Sequence, residues 1–240
     1  MKAIILFLSC AIFVALTGCS SDDEVTPSGT VTSVSNYFSD YSGLIISHGF
    51  KVFVTFSETE EEIEIEADDN IHAFIELYKT DNRLIIKIKS NVSIQGPATM
   101  NVYITTKHVN LYAGSGGSVI TLENKLMADE VDVELSGGSG FTGDLHTAGL
   151  AVELSGGSRI DITGESDTFR VGASGGSSFR NYDFSTDQLV AYLSGGSQGY
   201  VTVNQEIEVN ASGGSTLYYN GDVTIVNEIL SGGSRIVKVN

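Results

Sequence analysis

The sequence predicts an all-β solenoid, a parallel β-helix with coils of about 19 residues. Three observations carry that prediction. Ser-Gly-Gly-Ser begins at Ser115, Ser136, Ser155, Ser174, Ser194, Ser212 and Ser231, in steps of 18 to 21 residues. Apolar and polar residues alternate before each copy, and an apolar residue recurs two places after most of them. A near-fixed step marks a repeat protein in which each unit buries its apolar face only against its neighbours.

The repeats occupy residues 111–240. Before the corners the apolar sets are Val131, Val133, Leu135, then Leu150, Val152, Leu154, then Phe169, Val171, Ala173. They continue with Leu189, Ala191, Leu193 and Ile207, Val209, Ala211. Period two means strands with one face buried. After the corners come Ile120, Phe141, Ile160, Phe179, Leu217 and Ile236. Gly199 breaks this column, which reads as one extra residue entering beside Tyr200. Each unit is therefore strand, corner, strand and second corner, the last often glycine-bearing, as at Gly143, Gly164 and Gly221. Such a unit has no room for a long helix, and the Leu-x-x-Leu-x-Leu signature of leucine-rich repeats is absent. The seven corners hold 14 of the 27 glycines. Gly-Gly supplies positive φ without a Cβ penalty, and the flanking hydroxyls suit bonds to the turn backbone or along the stack.

Residues 31–110 lack the corner motif but are also strand-rich. Lys51 to Phe56 and Glu61 to Ala67 alternate, with Ile63 and Ile65 inward and Glu62, Glu64 and Glu66 outward. Leu84 to Lys89 follows a turn at Thr80 to Arg83, and Met100 to Thr105 leads into the first repeat. Asp69 to Ile75 reads as a helical turn capped by Asp69 or Asn70. This half is expected to form irregular early coils that cap the stack. The last coil shows no evident cap, with Lys238 as the one charge guarding its edge.

The chain of 240 residues carries 30 acidic and 13 basic side chains, a formal net charge of -17. That length suits one large all-β domain. The acidity argues against nucleic acid and against a polybasic membrane patch. Lys2 followed by the apolar run Ala3 to Leu16 is too short to span a bilayer and reads as a cleaved leader, residues 1–18. Leu16-Thr17-Gly18-Cys19 resembles the lipobox of bacterial lipoproteins, in which cleavage precedes a Cys that is then acylated. Cys19 is the expected lipidation site and membrane anchor. Cys10 leaves with the leader, so the mature chain has no internal disulfide. Residues 19–30 read as a flexible tether. Its run Ser20-Ser21-Asp22-Asp23-Glu24 resembles the surface-export signal of Bacteroidetes lipoproteins, whose plainer reading is a solvated linker. The expected location is the outer membrane, facing outward.

Beyond the corners, Gly49-Phe50-Lys51-Val52-Phe53-Val54, Ala67-Asp68-Asp69-Asn70 and Asp81-Asn82-Arg83-Leu84-Ile85-Ile86 complete a pattern over residues 31–239. It resembles the bacterial family called putative auto-transporter adhesin, head GIN domain. The resemblance implies a right-handed β-helix of the pectin-lyase type, a hand that the crossover rule for parallel strands also favours. It further implies a role in cell adhesion, with the stacked Gly-Ser turns as the ligand face. It brings no catalytic residues.

Candidate chemistry is sparse. Counting back from each corner places Glu134 and Glu153 side by side and outward, with Asp132 and Arg170 diagonal to them. Carboxylates about 5 Å apart suit a retaining glycosidase, and a solvated acidic face is the plainer reading. His48, His72, His108 and His146 do not recur in the repeat, so no serine has an evident base. The calcium nonapeptide Gly-Gly-x-Gly-x-Asp is not completed at any corner, and no metal or other cofactor is expected. Binding is the remaining class. The expected ligand contacts are the fourth residues of the corners, Ser118, Ser139, Ser158, Ser177, Ser197, Ser215 and Ser234, with outward Tyr192 and Tyr218. A surface glycan or a protein would be the partner.

Overall fold

The computed structural model of the chain describes residues 23–239. The leader, Cys19 and the first residues of the tether lie outside them. The N-terminal half holds β1 (Asp23–Val25), β2 (Val31–Asn36), β3 (Gly43–Ile46), β4 (Lys51–Phe56), β5 (Glu62–Asp68), β6 (Ile75–Thr80), β7 (Arg83–Ile88), β8 (Val92–Ile94) and β9 (Met100–Thr106). The repeat half holds β10 (Leu111–Gly114), β11 (Val119–Leu122), β12 (Leu126–Leu135), β13 (Gly140–Leu154), β14 (Arg159–Ala173) and β15 (Ser178–Leu193). It closes with β16 (Gln198–Ala211), β17 (Thr216–Asn220), β18 (Thr224–Leu230) and β19 (Arg235–Lys238). Consecutive coils pair in parallel register one repeat apart, so Phe141 lies beside Ile160 and Leu150 beside Phe169. This is the β-solenoid that the repeat predicts.

Each corner is a tight turn closed on itself. In the Ser155 corner, Gly156 and Gly157 have φ of 62° and 79°, and Ser158 N–H donates to the Ser155 carbonyl at 3.3 Å. The Ser158 hydroxyl donates to that same carbonyl at 2.7 Å. All seven corners repeat this hydroxyl bond, at 2.6 to 2.9 Å. The fourth serines therefore point inward, and Ser118, Ser158, Ser177, Ser197 and Ser215 are fully buried. Each corner also stacks on the one before. Ser155 N–H donates to Leu135, and Arg159 N–H donates to Ser139, both at 2.9 Å. A Cβ on Gly156 would sit 3.0 Å from the Gly137 nitrogen, whereas one on Gly157 would meet open space.

The core is a set of columns running along the stack. Aromatic rings meet edge to face between coils, Phe169 with Phe179 at 5.7 Å and with Phe184 at 5.5 Å. Gly199 stays in the inward column, paired to Phe179 on one side and Leu217 on the other. The extra residue inferred there enters elsewhere, between Phe179 and Phe184, where the register slips by one. Gly199 has no side chain because the Phe179 ring fills its place. The expected second corner at Gly143 is no break either, since the ladder of β13 on β14 runs through it without a gap. The coil bends again at a second buried polar column, Thr147, Ser166 and Thr186. Their hydroxyls bond the backbone or one another, as Ser166 does to Thr186 at 3.0 Å.

The N-terminal half departs from serial winding. β3 and β4 form a coil that lies between the β10–β11 coil and the β7 and β9 strands. Its corner is Ser47-His48-Gly49-Phe50, with φ of 63° at His48 and 77° at Gly49. Phe50 takes the place of the buried serine and is fully enclosed. Antiparallel strands cover this end: β5 lies between β2 and β9, and β6 pairs with β7.

The expected helical turn is a short 3-10 segment, His72–Phe74, but neither Asp69 nor Asn70 caps it. They hold the entering chain instead. Asp69 accepts from the Ser28 hydroxyl, and the Asn70 side-chain amide donates to the Thr26 carbonyl at 2.8 Å. The buried Asp68 carboxylate accepts Gly29 N–H at 2.7 Å and Thr99 N–H at 2.9 Å. The flexible tether expected through residue 30 is thus not what residues 23–30 form, because β1 pairs in parallel with β8 and the loop after it is fastened.

The far end is guarded by more than Lys238. Glu228 pairs with Val209, and Lys238 with Tyr219, so both charges occupy inward columns of the last coil. An inward charge at an edge opposes the docking of a further strand.

Two outcomes follow. Gly157→Ala is expected to cost about 1–2 kcal/mol from left-handed backbone alone, and Gly156→Ala about 1 kcal/mol more from contact with the neighbouring corner; urea unfolding of both checks the order. Replacing both Glu228 and Lys238 by Val should convert the protein to end-to-end oligomers in light scattering, while either end charge alone should retain part of the protection.

Candidate functional site

The fourth serines, expected as ligand contacts, are turned into the fold, so the outward hydroxyls of the corners belong to their first serines. Ser115, Ser136 and Ser174 are half-buried and Ser155 is exposed. Among the described residues, only Ser174 of the corners' first serines donates its hydroxyl to the backbone, at 3.4 Å to Leu154. The others keep their hydroxyls for solvent or a ligand. Ser115, Ser136, Ser155 and Ser174 form one wall of an open groove of about 360 Å³ that crosses successive coils. Ile45 and Ala113 give its apolar end, and Glu134 and Glu153 give its polar floor.

Glu134 and Glu153 are direct register neighbours, as the count from the corners predicts. Both are exposed, and the Glu153 carboxylate leans over Gly172, filling the space a side chain there would take. Asp132 and Arg170 share the adjacent outward column, with Ala151 between them. Arg170 is turned away from the carboxylates. Its guanidinium lies 4.8 Å from the centre of the Tyr192 ring, a cation–π contact.

Tyr192 and Tyr218 do face outward, but neither ring offers two free faces. Tyr218 stacks on Tyr200 at 4.7 Å with 13° between planes, and Tyr182 meets Tyr200 edge-on at 5.9 Å. Arg180 lies 5.5 Å above Tyr200. Burial raises the Tyr182 phenol above its ordinary pKa, and the Tyr200 and Tyr218 rings beside it add to the rise. The column runs along the solenoid axis and presents ring edges and hydroxyls. Tyr182 was missed because the register slips between Arg180 and Ser185, whereas Tyr200 holds the same place after its corner as Tyr218, a signal that counting could have found.

A second hollow, of about 550 Å³, opens near the other bend. There His146 lies between Asp144 at 3.4 Å and Glu165 at 3.3 Å. Asp187 accepts from Asn204 at 3.1 Å and Gln205 at 2.8 Å, so these groups are largely satisfied within the fold.

The fold is that of a repeat protein, a solenoid with a row of outward corner serines beside an open groove. The chain belongs to the family described as putative auto-transporter adhesin, head GIN domain, whose pattern matches residues 40–222. Among solved structures, a putative adhesin from Bacteroides fragilis is similar over 90% of this chain and 100% of its own, at 21% identity and a TM-score of 0.79. A putative adhesin from Parabacteroides merdae is similar over 91% and 100%, at 14% identity and a TM-score of 0.70. A protein from Parabacteroides distasonis described as a putative lipid binding protein is similar over 91% and 100%, at 16% identity and a TM-score of 0.69. At these identities the likeness concerns the fold. No curated protein matches the sequence.

The aromatic column yields a measurable coupling. In a double-mutant cycle of Tyr200→Ala and Tyr218→Ala, the stacked pair should contribute about 1 kcal/mol beyond the single losses, read from urea midpoints.

Proposed function

We propose that the chain is a non-catalytic surface-binding protein, anchored through acylated Cys19, that holds an extended glycan or peptide along the groove beside its corners. The observation that carries this reading is the row of first serines, whose hydroxyls the fold leaves mostly unspent. An extended ligand crossing several coils meets the same hydroxyl at each step, about 4.8 Å on. Glu134 and Glu153 would accept hydrogen bonds from sugar hydroxyls or peptide amides. The adhesin family supports the binding class and a place at the cell surface. Outer-membrane attachment rests on the lipobox resemblance at Leu16 to Cys19.

A second reading treats Glu134 and Glu153 as a catalytic pair, since they are register neighbours. Retaining chemistry needs one carboxyl held protonated, usually by an apolar enclosure. Both side chains are exposed instead, which favours binding. A structural envelope protein without a small ligand is the third reading.

The test is glycan-array binding combined with turnover assays. Binding without release of reducing ends is expected, with Ser136→Tyr lowering affinity at least tenfold by filling the groove. Turnover abolished by Glu153→Gln would establish the enzyme instead, and silence in both assays with a stable protein partner would favour the structural role. For the anchor, Cys19→Ser should move the protein from the membrane to the soluble fraction, and protease applied to intact cells should remove the wild type.

A further inference from the structure

The N-terminal end of the stack has an open strand edge whose character differs from the others. Among the described residues, β2 pairs only with β5. Asp69 N–H donates to the Thr30 carbonyl at 2.8 Å, and the register then assigns the hydrogen-bonded pairs to Thr32, Val34 and Asn36. In an antiparallel pair the intervening residues turn their backbone groups away. The N–H and C=O groups of Val31, Ser33 and Ser35 therefore face the open side.

Sheets protect such edges with charge, proline or inward polar groups. The last coil carries Glu228 and Lys238 inward, and β6 carries Glu76 and Lys79. β2 reads Val-Thr-Ser-Val-Ser-Asn, with no charge and no proline, and Val31 and Val34 are each 45% exposed. Beside its C-terminal end lies an open hollow of about 900 Å³. Glu60, Glu61 and Glu62 line it with Lys107 and with Tyr37, which is 69% exposed.

We infer that β2 is a docking strand for an extended basic segment of a partner protein, which adds to its open edge by β-augmentation and places cationic side chains against the glutamate hollow. Main-chain bonds supply affinity in this mode, and side-chain pockets supply specificity. Charge decides the occupant. A second copy would offer β2 itself, Val-Thr-Ser-Val-Ser-Asn, which brings no cationic side chain to the glutamate hollow. The chain's own entering segment is committed elsewhere, with β1 on β8 and Ser28 and Gly29 held by Asp68, Asp69 and Asn70. The site is separate from the corner groove, so its failure leaves the glycan reading untouched.

The experiment uses the mature chain with Cys19→Ser and two labelled ten-residue peptides, one alternating Lys and Val, the other Glu and Val. Fluorescence anisotropy should show binding of the Lys–Val peptide, with the Glu–Val peptide at least tenfold weaker. Ser33→Pro removes an N–H that faces the open edge and should weaken binding at least tenfold. Val34→Lys adds a guarding charge to the strand and should weaken it similarly, with an unchanged far-ultraviolet spectrum in each variant. Equal affinity for both peptides, or full affinity in both variants, would overturn the proposal. So would self-association of the wild type that either substitution abolishes, because the occupant would then be a second copy.

Discussion

The regular half of this protein depends on one small contact, the buried serine hydroxyl that closes each Ser-Gly-Gly-Ser corner onto the carbonyl three residues back. The turn needs positive φ at two successive residues, so it needs glycine, and glycine leaves the backbone loosely specified. The hydroxyl restores the specification. It gives the first serine's carbonyl a second donor, supplied from inside the core where water cannot compete. The first glycine then lies against the preceding corner too closely for a side chain. Closure within a coil and stacking between coils are thus enforced at the same four residues.

That arrangement explains why the outer wall is available for binding. Two serines bracket each turn; the fold consumes the inner hydroxyl in all seven and, among the outer ones of the described residues, only that of Ser174. The outer one otherwise keeps its hydroxyl at the lip of the groove. The division is asymmetric because the strand entering the corner and the strand leaving it meet the core on opposite pleats. Similar economy appears in an outward column, where Glu153 lies over Gly172, and in an inward one, where Phe179 fills the space at Gly199. A missing side chain in one coil is supplied by its neighbour, so composition within a single repeat understates how well it is packed.

The regular half was legible because its corners are identical in sequence and its strands alternate cleanly. The orientation of the two serines was not, since both are chemically the same and differ only in which side of the pleat they fall. The N-terminal half hid its corner because Phe50 replaces the serine and His48 replaces a glycine, so Ser47 to Phe50 does not resemble the motif it performs. Its order in space was also unreadable. The β3–β4 coil sits between strands that follow it in the chain, and no local pattern reports a partner far along the sequence. Asp69 and Asn70 looked like helix caps because the side chains that cap helices also fasten loops. For the candidate site, the pairing of Glu134 with Glu153 followed from counting, whereas Arg170 turning to Tyr192 required three dimensions.

The inward charges of the last coil carry a consequence for how such a protein can change in length. A duplicated repeat added after residue 239 would have to lie on Glu228 and Lys238, and one added before residue 23 would precede the antiparallel cover. An interior duplication meets neither obstacle, because every middle coil offers the same corner above and below. Lineages that lengthen or shorten this solenoid should therefore do so from the centre, leaving both ends recognisable and the number of outward corner serines free to vary.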